Sequence, residues 1–533
     1  MSLQQRYAIG MLSGAGSVAL RTALNILVVP MLIAKLGLDV FGLYIVLIAI
    51  LEVATFLDLG ATSALVTLLG SETNDLARRS LMKVGHVWFG VLTLLFGLSG
   101  FLLRDQLGSL FHIDGAMQAM AATAFLLMLG EAMLSLYMCY ARSILLSHCA
   151  HQWSNVADSA SNLLANLGSL AALLAGFGLV EIMAIRLLAA GVRVVLLIWQ
   201  TLKLEPLAFR PGVPLDRDSL QHVARLSGHA MMINFSIIIS HKIDDLVIAH
   251  FLPLSAVGIY EIVFRFLGVT LQVGLKLSEG LYAYFARLAI HREVQEARPF
   301  FLHKSAFLNI TTLLMLLPIV VFYPELFTLF SAGKIPMRET LPILAVALPC
   351  TLSAVLQMPA NAWLFTWGHQ RFVTITSLVA AMANLCLSII LVQHLGIVGV
   401  ALGTLIPQLI QHQWGLIGKT CQSLGIGLLE YLRAVHFSAV WPLLVALGWM
   451  ILWRPIVPLS QPVLHSILPA VGMIACSAAF IGAVVWFRFN ATADDLKMLE
   501  PVNRFFDSVL SRMNKPKPKD SILHPAINPE HVS

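Results

Sequence analysis

Charge is scarce in this chain. Of its 533 residues 12% are Asp, Glu, Lys or Arg, against 58% hydrophobic, and the mean hydropathy is +0.83. A soluble domain carries about 25% charged residues, so the polar surface here cannot cover a globule of this size. A water-soluble enzyme or binding module is thereby excluded, and lipid is the solvent for most of the chain. Cysteine is nearly absent. Cys139, Cys149, Cys350, Cys386, Cys421 and Cys476 stand singly in apolar stretches without a CxxC or a spaced pair. No disulfide framework, metal centre or cofactor site is expected, and these residues read as small buried hydrophobes. Long polar segments are missing as well. The outside loops, longest near 104–116, 324–339 and 454–464, leave no room for the external domain with which membrane glycosyltransferases, polymerases and ligases hold an acceptor. A signal peptide is also lacking. The first apolar stretch, about 25 residues with Arg21 in its middle, is too long for a signal h-region and reads as a retained helix.

What the chain does contain is a succession of apolar runs near the roughly 20 residues that cross a bilayer core of about 30 Å. Fourteen spans are read, near 10–34, 41–69, 84–103, 117–141, 152–177, 180–202, 228–251, 255–284, 305–323, 340–365, 372–393, 397–418, 436–453 and 465–487. Basic residues sort into alternate loops, as they must if positive charge stays in the cytoplasm. Arg78, Arg79 and Lys83, then Arg287, Arg292, Arg298 and Lys304, fall inside; Lys35, Arg104, Lys334, Arg338 and Arg454 fall outside. Both termini are expected in the cytoplasm. The tail beyond Arg488 ends in a Pro- and Lys-rich segment of disordered character.

The chain also repeats itself. Phe41-Gly42-Leu43-Tyr44 opens the second span and Val257-Gly258-Ile259-Tyr260 the eighth, 216 residues further on. At an offset of 218, His151-Gln152 matches His369-Gln370, Asn166-Leu167 matches Asn384-Leu385, and Gly178 and Val180 match Gly396 and Val398. The fold class is therefore an all-α polytopic membrane protein of about 14 helices, with two pseudo-symmetric six-helix lobes and two C-terminal helices. Residues 1–203 form the first lobe, 204–227 a cytoplasmic linker, 228–424 the second lobe, 425–488 helices thirteen and fourteen, and 489–533 the tail. Parallel repeats of this kind suit a transporter that binds its cargo between the halves and rocks.

Ionisable groups inside apolar helices cost about 2.5–3.5 kcal/mol each on insertion scales and so mark functional positions. The first span carries Ser17, Arg21 and Asn25 on one face, with no carboxylate within a turn of Arg21. On the eighth, Glu261, Arg265, Gln272, Lys276 and Glu279 trace one stripe; Glu261–Arg265 and Lys276–Glu279 are also spaced to neutralise each other. The seventh holds Asn234, His241, Lys242, Asp244 and Asp245, and the second Glu52 and Asp58. Substrate-binding candidates are Arg21, Asn25, Lys242, Arg265, Gln272 and Lys276; ion-coupling candidates are Asp58, Asp245 and Glu279. Asp158, Asn162, Asn166, Asn384 and Ser388, and Glu131, Ser135 and Arg142, read as polar glue between helices. Arg186 and Arg193 snorkel or pair with Glu181. A cationic cleft of low dielectric favours a polyanion, and arginine's fork suits phosphate.

Arg21, Asn25 and Pro30, followed by LGLDVFGLY at 36–44, LDLG at 57–60 and KIDDLVIAHFLPLSAVGIY at 242–260, resemble the polysaccharide-flippase branch of the multidrug/oligosaccharidyl-lipid/polysaccharide exporter superfamily. The resemblance implies two six-helix lobes in a V and export of undecaprenyl-diphosphate-linked sugar units across the bacterial inner membrane, for O-antigen, capsule or exopolysaccharide. It also implies alternating access driven by a coupling ion, Na+ or H+, or by membrane potential, with arginines of helices one and eight facing the diphosphate. Arg21 and Arg265 occupy those helices. Expected partners are the lipid-linked oligosaccharide, membrane lipids, and a glycan polymerase and chain-length regulator; no nucleic acid is expected. The alternatives are an ion-coupled multidrug exporter of the same fold and a membrane glycan polymerase or ligase.

Overall fold

The computed structural model describes residues 24, 28–56, 58–113, 115–148, 150–210, 212–291, 294–331 and 333–453. Every regular element among them is helical, which is how a chain without water satisfies its backbone N–H and C=O groups. In order these are α1 (28–36), α2 (Leu38–Phe56), α3 (Ala61–Ser71), α4 (Asp75–Leu103), α5 (Leu107–Leu110), α6 (Gly115–Ser147), α7 (His151–Leu174), α8 (Leu179–Leu204) and α9 (Arg217–Phe251). There follow α10 (Leu254–His291), α11 (Val294–Val321), α12 (Tyr323–Phe330), α13 (Met337–Thr366), α14 (Gln370–Leu395), α15 (Ile397–Leu409), α16 (Gly418–Leu424), α17 (Leu428–Tyr431) and α18 (Val440–Trp453). Among the described residues eight helical segments are long and apolar enough to cross a membrane.

Helix α6 packs on α2, α3, α4 and α8, and α7 packs on α8. Helix α10 packs on α2, α11 and α13, while α14 packs on α15 and α9. The main core runs through their shared centre, from Phe41, Val46 and Leu47 to Ile182, Ile248, Val257 and Ile343. On the outside, Leu94, Leu98 and Leu102 of α4, Leu188, Val195 and Trp199 of α8, and Ile375, Val379 and Ile390 of α14 are exposed. These rows are stable only against hydrocarbon.

Two boundaries differ from the sequence reading. The second span, read as continuous over 41–69, is two helices. Leu59 and Gly60 have φ of +54° and +77°, a left-handed pair that cannot continue a right-handed helix. Asp58 restores the lost bonding, accepting from the N–H of Gly60 at 2.9 Å and of Thr62 at 3.2 Å and so capping α3. The corresponding α10 runs unbroken. Second, residues 217–227, read as linker, are the opening turns of α9, which Asp216 caps through the Ser219 N–H at 2.8 Å. At 35 residues α9 is about 52 Å long and overreaches the hydrocarbon. The hydrogen bonds from Ser219 hold the Asp216 carboxyl below the usual carboxylate range. The rest of the linker is anchored: the Tyr140 hydroxyl donates to the Ala208 carbonyl at 2.5 Å, and the Phe209 ring stands edge-on to His86 and Tyr140.

At the end of the bundle where α1 stops and α2 and α10 start, the two copies of the repeat meet. A methyl group added at Gly42 would overlap the Leu254 carbonyl, and one at Gly258 would press on the Phe41 ring. The Lys334 ammonium caps α1, donating to the carbonyls of Ile33 at 2.9 Å and Ala34 at 2.8 Å. At the other end Arg78 gathers four helices. It donates to Glu205 at 2.7 Å and to the Leu69 carbonyl at 2.9 Å, and it lies 2.8 Å from His148.

Candidate functional site

Helices α2, α9 and α10 bring a set of ionisable side chains together in the middle of the fold. Lys242 of α9 is ion-paired with Glu52 of α2, both about three-tenths exposed. One turn apart on α10, Arg265 donates to the same Glu261 oxygen through Nε at 3.0 Å and through a terminal nitrogen at 2.5 Å. Asp245, buried on α9, lies in the field of Glu52, Lys242 and Glu261, and no hydrogen bond from a described residue reaches its carboxylate. The helical register explains the arrangement. On α10, Gly274, Ser278 and Phe285 contact Val355, Met358 and Trp363 of α13. Glu261, Arg265 and Gln272 lie on the opposite side of the helix, and Gln272 is exposed.

A second cluster lies behind the first. Asp244 is buried, and one of its oxygens accepts from the Tyr260 hydroxyl at 2.8 Å and the Thr404 hydroxyl at 2.7 Å. Its other oxygen is buried without a partner. Thr404 Oγ1 lies 3.3 Å from both Asn384 Oδ1 and the Val400 carbonyl, and Ser388 Oγ lies 2.9 Å from Asn384 Oδ1. One carboxylate, an amide oxygen, three hydroxyls and a carbonyl thus converge from α9, α10, α14 and α15. Such a set of hard oxygens suits a small hard cation of low charge. The repeat offset of 218 places Arg186 where the second half has Thr404. That guanidinium lies beside Tyr44, the counterpart of Tyr260, and donates to Glu131 at 2.9 and 3.1 Å. Among the described residues a guanidinium thus stands in the first half where the second half has the oxygen cluster.

A family model described as polysaccharide biosynthesis protein matches residues 36–323, more than half of the chain. The chain belongs to that family. Among solved structures, a lipid II flippase MurJ in an inward closed conformation is similar at a TM-score of 0.66 and 14% identity, covering 90% of this chain and 99% of that one. An inward-facing multidrug resistance MATE family transporter of the MOP superfamily gives a TM-score of 0.60 at 15% identity, covering 80% of this chain and 95% of the other. A MOP superfamily transporter from Pyrococcus furiosus gives 0.51 at 16% identity, covering 79% and 95%. At these identities the likeness is one of fold. No curated protein sequence matches the chain. This family member is a membrane protein with the fold of the MOP transporters.

The sequence candidates fare differently within that fold. Arg265 and Lys242 come together at the junction of α2, α9 and α10, each with a carboxylate against it. The spacing of Glu261 and Arg265 made such a pair one of two open readings, and the structure adopts it. Gln272 shares the Arg265 side of α10. Arg21 and Asn25 lie outside the described residues, as do the side chains of Lys276 and Glu279. Asp58 accepts from backbone N–H groups at the N-terminus of α3. Of the polar glue, Glu131 binds Arg186 and Arg142 donates to both oxygens of Asp158 at 2.8 Å. Glu181 accepts instead from the Gly178 N–H, which caps α8. Sequence reasoning missed Asp244 and Thr404 as partners. The one available signal was the run KIDDLVIAHFLPLSAVGIY, which holds both Asp244 and its donor Tyr260.

Proposed function

We propose that this protein is a flippase that moves a polyprenyl-diphosphate-linked oligosaccharide from the cytoplasmic to the periplasmic leaflet of the bacterial inner membrane, for O-antigen, capsule or exopolysaccharide synthesis. The observation that carries the proposal is the joint presence of Arg265 and Lys242, partly exposed, where helices of the two repeats meet. Membership of a polysaccharide biosynthesis family and a fold like that of a lipid II flippase support it. In this reading residues 1–203 and 228–424 form two six-helix halves that rock about the site, with helices thirteen and fourteen beside them and both termini in the cytoplasm. Arg265, with Lys242 and Gln272, and on sequence grounds Arg21, Asn25 and Lys276, hold the diphosphate. The sugars occupy the hydrated cleft, and the polyprenyl tail stays in the bilayer.

The decisive experiment measures in which leaflet the lipid-linked sugar accumulates when the protein is absent. Accumulation in the cytoplasmic leaflet is the expected result. Accumulation of flipped but unpolymerised precursor would turn the reading to a polymerase or ligase.

The Asp244 cluster supplies the coupling-ion site in this reading, with Na+ the ion its oxygens suit. Asp245 and Glu279 remain sequence candidates, whereas the Asp58 carboxylate is engaged in capping. Asp244→Ala removes the only carboxylate of that cluster. Proteoliposomes carrying it are expected to lose the sodium dependence of transport and most of the rate. Unchanged sodium dependence would remove the assignment.

One observation favours a second reading, the ion-coupled multidrug exporter. Asp245 is a buried carboxylate without a hydrogen bond from any described residue, which is what an organic cation would seek. Drug efflux from cells that express the protein, with no change in lipid-linked sugar on deletion, would select it.

A further inference from the structure

We propose that Glu52 is a resident stand-in for the anionic headgroup: it neutralises Lys242 while the site is empty, and an entering diphosphate displaces it, which breaks an ion pair between α2 and α9. The inference rests on the flippase reading and assigns a positioning role to a residue outside the set that grips the substrate.

Each described cation of the site already carries a carboxylate. Lys242 is held by Glu52, and two donors of Arg265 point at Glu261. Three carboxylates (Glu52, Asp245 and Glu261) stand against these two cations among the described side chains. An anion that approached Lys242 with Glu52 in place would meet the charge of that carboxylate at the same ammonium. Binding at Lys242 therefore displaces Glu52 from the ammonium.

The two ion pairs differ in how easily that happens. Glu261 and Arg265 sit one turn apart on α10 and share a doubly hydrogen-bonded contact, so they stay together whatever the helices do. Glu52 and Lys242 sit on different helices, in different repeats, and meet through one ammonium. An ammonium is a compact point charge without a fixed fork, and it exchanges partners without reorienting. Lys242 also lies in the field of Asp245 and Glu261, so release of Glu52 leaves it still stabilised. The Glu52–Lys242 contact is also a bond between α2 and α9. Displacing it ties headgroup binding to freedom of the two halves to rock, which is differential contact of the sort a ligand-driven change requires.

The test titrates full-length protein in detergent micelles with inorganic pyrophosphate and, in parallel, with a short-chain polyprenyl diphosphate. Glu52→Gln is expected to bind the lipid diphosphate about tenfold more tightly than wild type, equivalent to about 1.4 kcal/mol. The same variant in proteoliposomes is expected to show a lower KM without a matching rise in kcat. Adding Lys242→Met should erase the gain. Thermal melting accompanies each variant, so a folding defect is separated from a binding effect. Wild-type binding with no gain in folded Glu52→Gln overturns the stand-in role and leaves the diphosphate site intact. A gain confined to inorganic pyrophosphate overturns the lipid-headgroup assignment. Absence of binding to wild type and to every variant defeats the flippase reading itself.

Discussion

Arg265→Ala protein, made and inserted at wild-type levels, is expected to deliver no detectable lipid-linked sugar to the outer leaflet. Arg265 is one of two described cations at the junction of the repeats, and it is the one whose planar fork matches two phosphate oxygens at once. Removing it strips the headgroup of its best donor and leaves Glu261 facing the incoming anion. Truncating one partner of a buried charge pair costs about 2–5 kcal/mol; this pair is about a quarter exposed, so a loss of apparent affinity of about tenfold is expected. Arg265→Lys keeps the charge but not the fork, and is expected to recover a fraction of transport with a raised KM. The leaflet assay and a pyrophosphate titration read both variants. Wild-type export by Arg265→Ala would move the headgroup site elsewhere in the chain.

The second large effect is expected at Gly42. Where α2 crosses the start of α10, a side chain at this position has no room: its first carbon would overlap the Leu254 carbonyl, which is backbone and cannot swing aside. Gly42→Ala therefore separates the two helix ends or strains them, at about 1–3 kcal/mol. A marked fall in melting temperature in detergent is expected, together with loss of export. Gly258→Ala is expected to be milder, because the group it meets is the Phe41 ring, although that ring is itself fully buried. If the helix ends part during transport, Gly42→Ala also favours the parted state. A cysteine placed at Lys334 would then label faster from that end in the variant than in wild type. Equal melting temperature and full export by Gly42→Ala would show that the crossing is not held closed by this contact.

The two glycines also show how far the sequence reaches. The recurrence of Phe-Gly-Leu-Tyr as Val-Gly-Ile-Tyr announced a duplication, and in the structure each glycine lies against the helix that carries the other. Sparse charge dictated helices in lipid, and periodicity put Arg265 and Gln272 on one side of α10. These are properties of one segment at a time, set by solvent and by the geometry of a single helix. They are legible without knowing what packs on what.

Pairing is different, because it depends on which helices touch. The sequence allowed Arg265 to be either a lone cation or half of an i, i+4 pair, and only the fold chose the pair with Glu261. It contained no signal that Lys242 would meet Glu52, 190 residues away. Nor did it join Asp244 to Thr404 and Asn384, which belong to helices far apart in the chain. Asp58 shows the converse. A charge within an apolar run read as an ion site, and only the left-handed turn at Leu59 and Gly60 shows the backbone N–H groups from which it accepts. Hydropathy decided that this chain lives in a membrane. Where its buried charges find their partners was decided by tertiary packing, since an ion in low dielectric is stabilised by whichever opposite charge the neighbouring helix brings within reach.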